Sequence, residues 1–259
     1  MKRQVIKSTG FTLIELLVVI SIIALLLSIL LPSLSKAKEQ AYHVVCQSNL
    51  RQLSTAYEMF LSDNNHQYPT AYYFVGAGGQ QGDELADCWY TATRPYLGDN
   101  EEIYLCPTAK VPESEGTGHP DVAFDASYFH EDLPLFSMGQ NDWVLSGWMG
   151  EPDSFNSPTA QSLAWKTNLV KENYRVPVIG DASYPIATDV WFYPAPPRPP
   201  RFSGDHGWTD TTGRMDQMKR FCLDRHDLAV NWFFMDGSVR KIGLKQLWHT
   251  RFHRQWNRK

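Results

Sequence analysis

The hydrophobic pattern of the chain begins with one long, almost uninterrupted apolar run from Phe11 to Leu31. Only four of its 21 residues are not plainly apolar, namely Thr12, Glu15, Ser21 and Ser28. At about 1.5 Å per residue, a helix of this length spans roughly 30 Å, which is the thickness of the hydrocarbon core of a bilayer. The pattern therefore predicts a single transmembrane helix.

A short polar leader, residues 1–10, precedes the apolar run. It carries Lys2, Arg3 and Lys7 and no acidic residue. Basic residues beside an apolar helix hold that end of the helix in the cytoplasm. We therefore expect a single-pass protein of the inner membrane, with its N-terminus in the cytoplasm and its C-terminal domain outside.

A second apolar pattern, at three- and four-residue spacing, follows Pro32. Apolar residues fall on one face of a helix and charged and amide residues on the other. The apolar members are Leu34, Ala37, Ala41, Val44, Val45, Leu53, Ala56, Tyr57, Phe60 and Leu61. Pro32 is expected to kink the helix without ending it, and the polar run Asp63-Asn64-Asn65 is expected to end it. The two patterns predict one helix from Phe11 to about Ser62, with its first half in lipid and its second half packed on a domain.

Glu15 is the only ionisable residue of the apolar run. A carboxylate at this depth costs about 2.5–3.5 kcal/mol on insertion scales, so it normally has a partner. We expect that partner to come from outside the helix, as a lipid headgroup, another protein or the amino group of a neighbouring copy. If the chain were cut after Gly10, Phe11 would offer a free α-amine one helical turn before Glu15.

The stretch Lys7-Ser-Thr-Gly-Phe-Thr-Leu-Ile-Glu-Leu-Leu-Val-Val-Ile20 resembles the class III signal of type IV prepilins and of the pseudopilins of type II secretion. The resemblance covers the chain from about Lys7 to Pro69. It implies cleavage between Gly10 and Phe11 by a membrane prepilin peptidase, followed by methylation of the new N-terminus. It also implies that Glu15 pairs with Phe11 of an adjacent subunit in a helical filament.

The function that this resemblance implies is structural. The protein would be a subunit of a type II secretion pseudopilus or of a type IV pilus-like filament. Its expected partners are the prepilin peptidase, other pilin or pseudopilin subunits, the inner-membrane assembly platform and membrane lipid. An alternative from another class is a membrane-tethered module that binds a polysaccharide or an exported protein and uses the signal for display.

Three other interpretations of the apolar run compete with the prepilin signal. An ordinary signal peptide could be cleaved near Ser33-Leu34-Ser35, but the run is long for such a peptide and Glu15 fits it poorly. An uncleaved membrane anchor leaves Glu15 unexplained. A buried helix of a soluble protein is least compatible with this length.

The rest of the chain predicts a small α+β domain rich in loops. Residues 88–97 are expected to form a short helix, residues 103–106 a short strand ended by proline, and residues 176–181 a buried strand that leads into an acid. Residues 194–201 are expected to form an extended polyproline segment. Leu244, Leu247, Trp248 and Phe252 suit one face of a short terminal helix.

The C-terminal hairpin carries the second recognisable motif. Apolar and aromatic residues flank Asp236-Gly237, and this dipeptide predicts a two-residue type I′ turn because both central positions of that turn need positive φ. His226, Asp236 and Gly237 resemble the His-x9-Asp-Gly motif found on many prepilin-like proteins of planctomycete-type bacteria. Asn231 and Val239 also fit that motif.

These elements predict a pilin-like α+β fold, in which a long N-terminal helix, first transmembrane and then amphipathic, packs on a small antiparallel sheet with long loops and a C-terminal hairpin. The expected divisions are the leader at residues 1–10, the transmembrane half of the helix at 11–31, its amphipathic half at 32–63 and the extracytoplasmic domain at 64–259.

A metal site is one interpretation of Asp181, His226 and Asp236. Asp181 follows a predicted strand and the other two bracket one, so all three could converge at one edge of the sheet. Two carboxylates and an imidazole can ligate a divalent cation. Alternatively, Asp236 is simply a turn residue and His226 packs at the start of its strand. The resemblance implies that Ca²⁺ sites occur in major pseudopilins, without assigning residues here, and no other cofactor is expected.

Charge and cysteine content restrict the remaining functions. The formal net charge is −4 and falls to −7 once the leader is removed, which argues against a nucleic-acid-binding surface. Outside the inner membrane at least one disulfide is expected among Cys46, Cys88, Cys106 and Cys222. Enzyme activity is not expected, because no catalytic motif is present and the neighbours Ser203, Asp205 and His206 lie in a short loop that would rarely build a triad.

Overall fold

The computed structural model describes residues 12–69, 71–72, 89–98, 100–109, 111–112, 122–125, 135–141, 143–144, 148–149, 164–182, 186–187, 221, 225–252 and 254. The chain divides into two compact units, residues 1–41 and residues 42–259. Helix α1 (Leu13–Asp63) runs through both, and a second helix, α2, spans Trp89–Leu97.

The described strands are short, and in chain order they are β1 (Ala71–Tyr72), β2 (Val111–Pro112), β3 (Val122–Asp125), β4 (Leu135–Phe136), β5 (Met138–Asn141), β6 (Trp148–Met149), β7 (Pro177–Asp181), β8 (Ile186–Ala187), β9 (Ala229–Phe234) and β10 (Val239–Gly243). Short 3₁₀-helices cover Glu101–Tyr104, Asn173–Arg175 and Leu244–His249.

The first part of α1 is apolar and exposed. An 18-residue window of the helix has a mean hydropathy of 3.0, and none of that window is buried. The helix continues through Pro32, as predicted, and ends at Asp63, one residue beyond the predicted end. In length and composition α1 is able to cross a membrane.

The second part of α1 buries one face against the domain. The side chains on this face step by three or four residues and are Cys46, Leu50, Leu53, Tyr57 and Leu61. The prediction that Val44 and Val45 face inward is wrong, because they are 60% and 45% exposed. At 100° per residue, Val44 lies about 200° around the helix from Cys46, so both cannot face the core.

A five-stranded sheet forms the centre of the domain, in the order β10-β9-β7-β5-β8. The pairs β10–β9, β9–β7 and β7–β5 are antiparallel, and the edge strand β8 is parallel to β5. Every residue of β7 and β9 is buried. The long helix and this small, mainly antiparallel sheet confirm the predicted pilin-like α+β fold.

An aromatic cluster completes the core next to α2. Trp89 and Tyr90 of α2 contact Tyr104 and Phe136 in edge-to-face geometry, with ring centroids 4.8–5.7 Å apart. Such pairs stabilise a core beyond their buried area. The short helix predicted over residues 88–97 is therefore present, and its aromatic side chains fasten it to the domain.

Two local predictions are wrong. Residues 103–106 do not form a strand, since Glu101–Tyr104 is a turn of 3₁₀-helix that buries Ile103 and Tyr104. The hairpin turn has three residues, because Phe234 N–H donates to Ser238 O and only Gly237 in this turn has positive φ.

The 3₁₀-helix Leu244–His249 lies where a short terminal helix was predicted. Leu244, Leu247 and Phe252 are buried. The predicted polyproline segment 194–201 and the Ser203-Asp205-His206 group lie outside the described residues.

Candidate functional site

The start of α1 is closed by a reciprocal pair of side-chain hydrogen bonds. Thr12 N–H donates to Glu15 Oε2 over 2.9 Å, the Thr12 hydroxyl donates to the same oxygen over 2.7 Å, and Glu15 N–H donates to Thr12 Oγ1 over 3.3 Å. This is a capping box, in which the first and fourth residues satisfy each other's free backbone N–H groups. Thr12 therefore supplies Glu15 with hydrogen bonds at the start of its own helix. The expected partner from outside the helix stays a prediction. Gly10 and Phe11 lie outside the described residues.

The apolar side chains from Leu13 to Leu34 present their surface outward all round the helix. Their exposed fractions run from 46% at Val19 to 79% at Leu13. Soluble monomers rarely expose an apolar surface of this size, so it needs lipid or other apolar helices around it.

The C-terminal motif divides into a structural half and a buried half. Asp236 is exposed in the hairpin turn, where its Oδ1 accepts hydrogen bonds from Ser238 N–H over 3.1 Å and from the Ser238 hydroxyl over 2.6 Å. The carbonyl of Gly237 accepts from the Ser54 hydroxyl on α1 over 3.2 Å. The Asp-Gly pair thus shapes the turn and fastens it to α1. His226 is buried and lies before the opposite end of β9.

His226 lies in a buried cluster with Cys46, Cys106 and Asp181, whose potential ligand atoms all lie within 4.8 Å of one another. Cys106 Sγ is 3.3 Å from His226 Nε2, the same nitrogen is 3.3 Å from Asp181 Oδ2, and Cys46 Sγ is 3.4 Å from Asp181 Oδ1. At most 1% of each residue is exposed. His226 Nδ1 has no hydrogen-bond partner among the described residues, so Nε2 makes the polar contacts of this ring.

Different parts of the fold supply the four residues. Cys46 projects from α1, and Cys106 follows the 3₁₀ turn Glu101–Tyr104. Asp181 ends β7, and His226 precedes β9 by three residues. The backbone of residues 226–229 is tightly turned, since Asp227 and Leu228 both have positive φ and His226 N–H donates to Ala229 O.

A shell of polar groups supports the cluster. Arg225 Nη1 lies 3.6 Å from Asp181 Oδ1, and the guanidinium also donates to Ser137 O and Ala182 O. Asn231 N–H donates to Asp181 Oδ2 over 2.6 Å, and the Asn231 amide donates to Cys46 Sγ over 3.5 Å. These bonds hold the carboxylate in one orientation.

The cluster strongly perturbs its own ionisation. Burial alone would raise the pKa of Asp181, but hydrogen bonding and charge from His226, with Arg225 and Asn231 N–H, lower it. Burial opposes a charge on His226, yet Asp181 and Cys106 raise the His226 pKa to about 9. Burial likewise opposes a thiolate at Cys106, but its hydrogen bonds with Cys46 and His226 lower the Cys106 pKa to about 5. The pKa of Cys46 is raised, chiefly by burial.

The structure thus brings together two of the three residues predicted as a metal site. Asp181 and His226 are in contact, whereas Asp236 lies in the exposed turn and is not part of the cluster. Two cysteines stand beside them instead. Ca²⁺ prefers a shell of six to eight oxygen ligands, so this sulfur- and nitrogen-containing set does not fit it.

Sequence reasoning assigned the cysteines only to disulfides, whereas Cys46 and Cys106 are free thiols here. Cys88 and Cys222 lie outside the described residues, so the expectation of at least one disulfide in the domain stays a prediction. The signal for Cys46 was its spacing, since it lies four residues before Leu50 and seven before Leu53 on the buried face of α1.

Comparison with known proteins matches the N-terminal segment to the family model of the prokaryotic N-terminal methylation motif, over residues 6–31. The N-terminal segment of this chain therefore resembles that of prepilins. The matched residues include the leader end, the capping box and the exposed apolar helix described above.

The curated proteins that this chain resembles are named as components of a type II secretion system and of a type IV pilus. The chain is 43% identical over 68 residues to the type II secretion system core protein G of Escherichia coli (strain K12), which is 26% of this chain and 46% of the relative. It is 46% identical over 56 residues to the major component of the type IV wide pilus of Thermus thermophilus, which is 22% of this chain and 43% of the relative. Core protein G of Aeromonas hydrophila is 41% identical over 64 residues, covering 25% of this chain and 44% of the relative.

The chain therefore spans less than half the length of these curated relatives. No solved structure matches it. The likeness lies in the N-terminal segment that carries the signal and the helix.

Proposed function

We propose that the protein is a structural subunit that is cleaved after Gly10 and assembles through α1 into a type II secretion pseudopilus or a type IV pilus-like filament. The observation that carries this proposal is the coincidence of the methylation motif over residues 6–31 with a helix whose apolar surface is exposed all round. A helix of this kind is stable first in lipid and then in a bundle of identical helices.

In the proposed mechanism α1 moves from the lipid of the membrane into the apolar interior of the filament. Before assembly, α1 is held in the inner membrane with the basic leader in the cytoplasm and the domain outside. Prepilin peptidase removes the leader, and the assembly platform transfers the helix from lipid into the filament. In the free subunit Glu15 is satisfied by Thr12. In the filament the α-amine of Phe11 from an adjacent subunit takes its place beside the Glu15 carboxylate and sets the register of the helices.

Processing is tested by N-terminal sequencing and intact-mass measurement of the protein from native membranes. We expect a chain that begins with N-methylated Phe11, because the peptidase needs the small residue Gly10 before the cleaved bond. A chain that begins at Met1 would contradict processing and leave a plain membrane anchor. A chain that begins near Lys36 would show a released exported domain and would also overturn the proposal.

Replacing Glu15 with alanine is expected to leave membrane insertion intact and to weaken filament assembly. The change removes the carboxylate that is proposed to pair with the neighbouring amine, while it makes the helix more apolar. Membrane fractionation measures insertion, and recovery of the subunit in sheared or cross-linked filaments measures assembly.

Thr12→Ala is the matched control for this experiment. Both substitutions break the capping box, which is worth about 0.5–2 kcal/mol of helix stability, but only Glu15→Ala removes the charge. If Glu15 pairs with a neighbouring subunit, Thr12→Ala retains most assembly and Glu15→Ala does not. Equal losses in the two variants would show that Glu15 acts only as a helix cap.

A further inference from the structure

We propose that Cys46, Cys106, Asp181 and His226 form a structural Zn²⁺ site that fastens helix α1 to the sheet. Two thiolates, one imidazole and one carboxylate are all ligands that Zn²⁺ accepts, and structural zinc sites use four of them in a tetrahedron. Soft sulfur ligands favour Zn²⁺ over the hard cations Ca²⁺ and Mg²⁺. All four ligands lie within the unit 42–259, so this site does not depend on the proposed filament assembly.

Three of the distances between ligand atoms are close to those of a tetrahedron around zinc. Bonds of about 2.3 Å to sulfur and about 2.0 Å to nitrogen or oxygen place the ligands roughly 3.3–3.8 Å from one another. Cys106 Sγ lies 3.3 Å from His226 Nε2, which lies 3.3 Å from Asp181 Oδ2, and Cys46 Sγ lies 3.4 Å from Asp181 Oδ1. Cys46 and His226 contact different oxygens of Asp181, and the ligand atoms lie up to 4.8 Å apart. An ion at the centre of the four residues therefore requires the side chains to move closer together by up to about 1 Å.

The charges at the site suit a divalent cation. Two thiolates and the Asp181 carboxylate carry three negative charges, and Zn²⁺ together with the Arg225 guanidinium supplies three positive ones. Arg225 lies 3.6 Å from Asp181 and is itself buried, so the site is neutral as a whole when zinc is bound. Neutrality matters here because a net charge in a buried site is expensive.

Neighbouring polar groups already hold the ligands in place. Thr108 Oγ1 lies 3.0 Å from Cys106 Sγ, the Asn231 amide donates to Cys46 Sγ, and Asn231 N–H donates to Asp181 Oδ2. Hydrogen bonds of this kind orient the side chains that ligate the ion in metal sites. No ligand is more than 1% exposed, so the four positions form a closed site, as in structural rather than catalytic zinc centres.

The consequence for the fold is a cross-link between distant parts of the chain. Cys46 and Asp181 are 135 residues apart, and Cys106 and His226 are 120 residues apart. Zinc would join α1, the segment after the 3₁₀ turn Glu101–Tyr104, the end of β7 and the turn before β9. The subunit would then transmit force from its helix to its sheet through a metal as well as through packing.

The site is tested on the full chain, purified in detergent without chelators and assayed for metal by mass spectrometry. We expect about one zinc per chain, and after exchange for Co²⁺ the visible absorption of a tetrahedral site together with thiolate-to-cobalt charge-transfer absorption. Cys46→Ser and Cys106→Ser are each expected to lower zinc occupancy at least tenfold and to abolish the charge-transfer band or halve its intensity.

Asp236→Asn is the matched control, because Asp236 belongs to the same C-terminal motif but lies in the exposed turn. It is expected to retain full zinc occupancy. Since a cysteine variant could lose zinc by failing to fold, the Co²⁺ spectrum of the unaltered chain decides the ligand type independently. A metal-free chain that takes up no Zn²⁺ or Co²⁺ would overturn the site, and so would a Cys46–Cys106 disulfide found by non-reducing peptide mapping or zinc retained in both cysteine variants.

Discussion

Replacing Asp181 with asparagine is expected to lower the free energy of unfolding by about 3–5 kcal/mol, the range seen when one partner of a buried ion pair is removed. The substitution keeps the shape of the side chain and removes its charge. Arg225 then loses a carboxylate 3.6 Å away, and His226 loses one 3.3 Å away, in a place where neither charge can be hydrated. In the unaltered chain Asn231 N–H donates to Asp181 Oδ2 over 2.6 Å. The new amide brings a donor toward this N–H.

Chemical unfolding of the full chain in detergent, followed by tryptophan fluorescence, measures this effect. A chelator in the buffer separates the loss of charge from any loss of zinc. Asp236→Asn removes the same charge from an exposed turn, and its amide oxygen can still accept both hydrogen bonds from Ser238. It is therefore expected to cost less than about 1 kcal/mol. Similar losses at Asp181 and Asp236 would show that Asp181 does not stabilise its buried cations.

The long helix and the hairpin were predictable because each rests on a local pattern. A run of 21 nearly apolar residues predicts a helix that lies in an apolar environment. Apolar and aromatic residues on both sides of Asp236-Gly237 predict a hairpin. The length of the hairpin turn was predicted wrongly, because it depends on which residues of the turn have positive φ. Only Gly237 takes positive φ, so the turn has three residues where the dipeptide suggested two.

The hydrogen bonds of Glu15 follow from a local pattern that was not used for the prediction. Thr12 and Glu15 have the spacing of a capping box directly before an apolar run, and that pattern predicts their mutual hydrogen bonds. The resemblance to prepilins drew attention to a partner in another subunit. Both roles are compatible, because the free and the assembled subunit can satisfy the same carboxylate in different ways.

The buried cluster was only half predictable. Asp181 and His226 are both beside predicted strands, and strand ends at one edge of a sheet lie close together. Cys46 and Cys106 could not be added from local patterns, because the contacts that unite the cluster are more than a hundred residues apart in sequence. In addition, both cysteines had been assigned to disulfides and not to a ligand set.

Replacing Gly180 with alanine is expected to lower the free energy of unfolding by about 3 kcal/mol, at the upper end of what overpacking costs. Gly180 lies on β7 directly opposite Trp232 on β9. A Cβ atom there would be 2.2 Å from Trp232 Cδ2 and 2.6 Å from the backbone carbonyl oxygen of Asn231. Trp232 is completely buried, so its indole has no room to withdraw, and the β7–β9 pair must separate.

Gly243→Ala is the matched control, because Gly243 also belongs to a strand of this sheet, β10, but has open surroundings. Its φ is −61°, and the nearest atom to an added Cβ would be 3.7 Å away at the end of the Gln246 side chain. We expect a change within about 0.5 kcal/mol, as for ordinary surface substitutions. Because Asp181 follows Gly180 and Asn231 precedes Trp232, we expect separation of these strands also to loosen the buried cluster of Cys46, Cys106, Asp181 and His226. If Gly180→Ala unfolds like Gly243→Ala, the close contact of β7 with the Trp232 indole does not exist in solution.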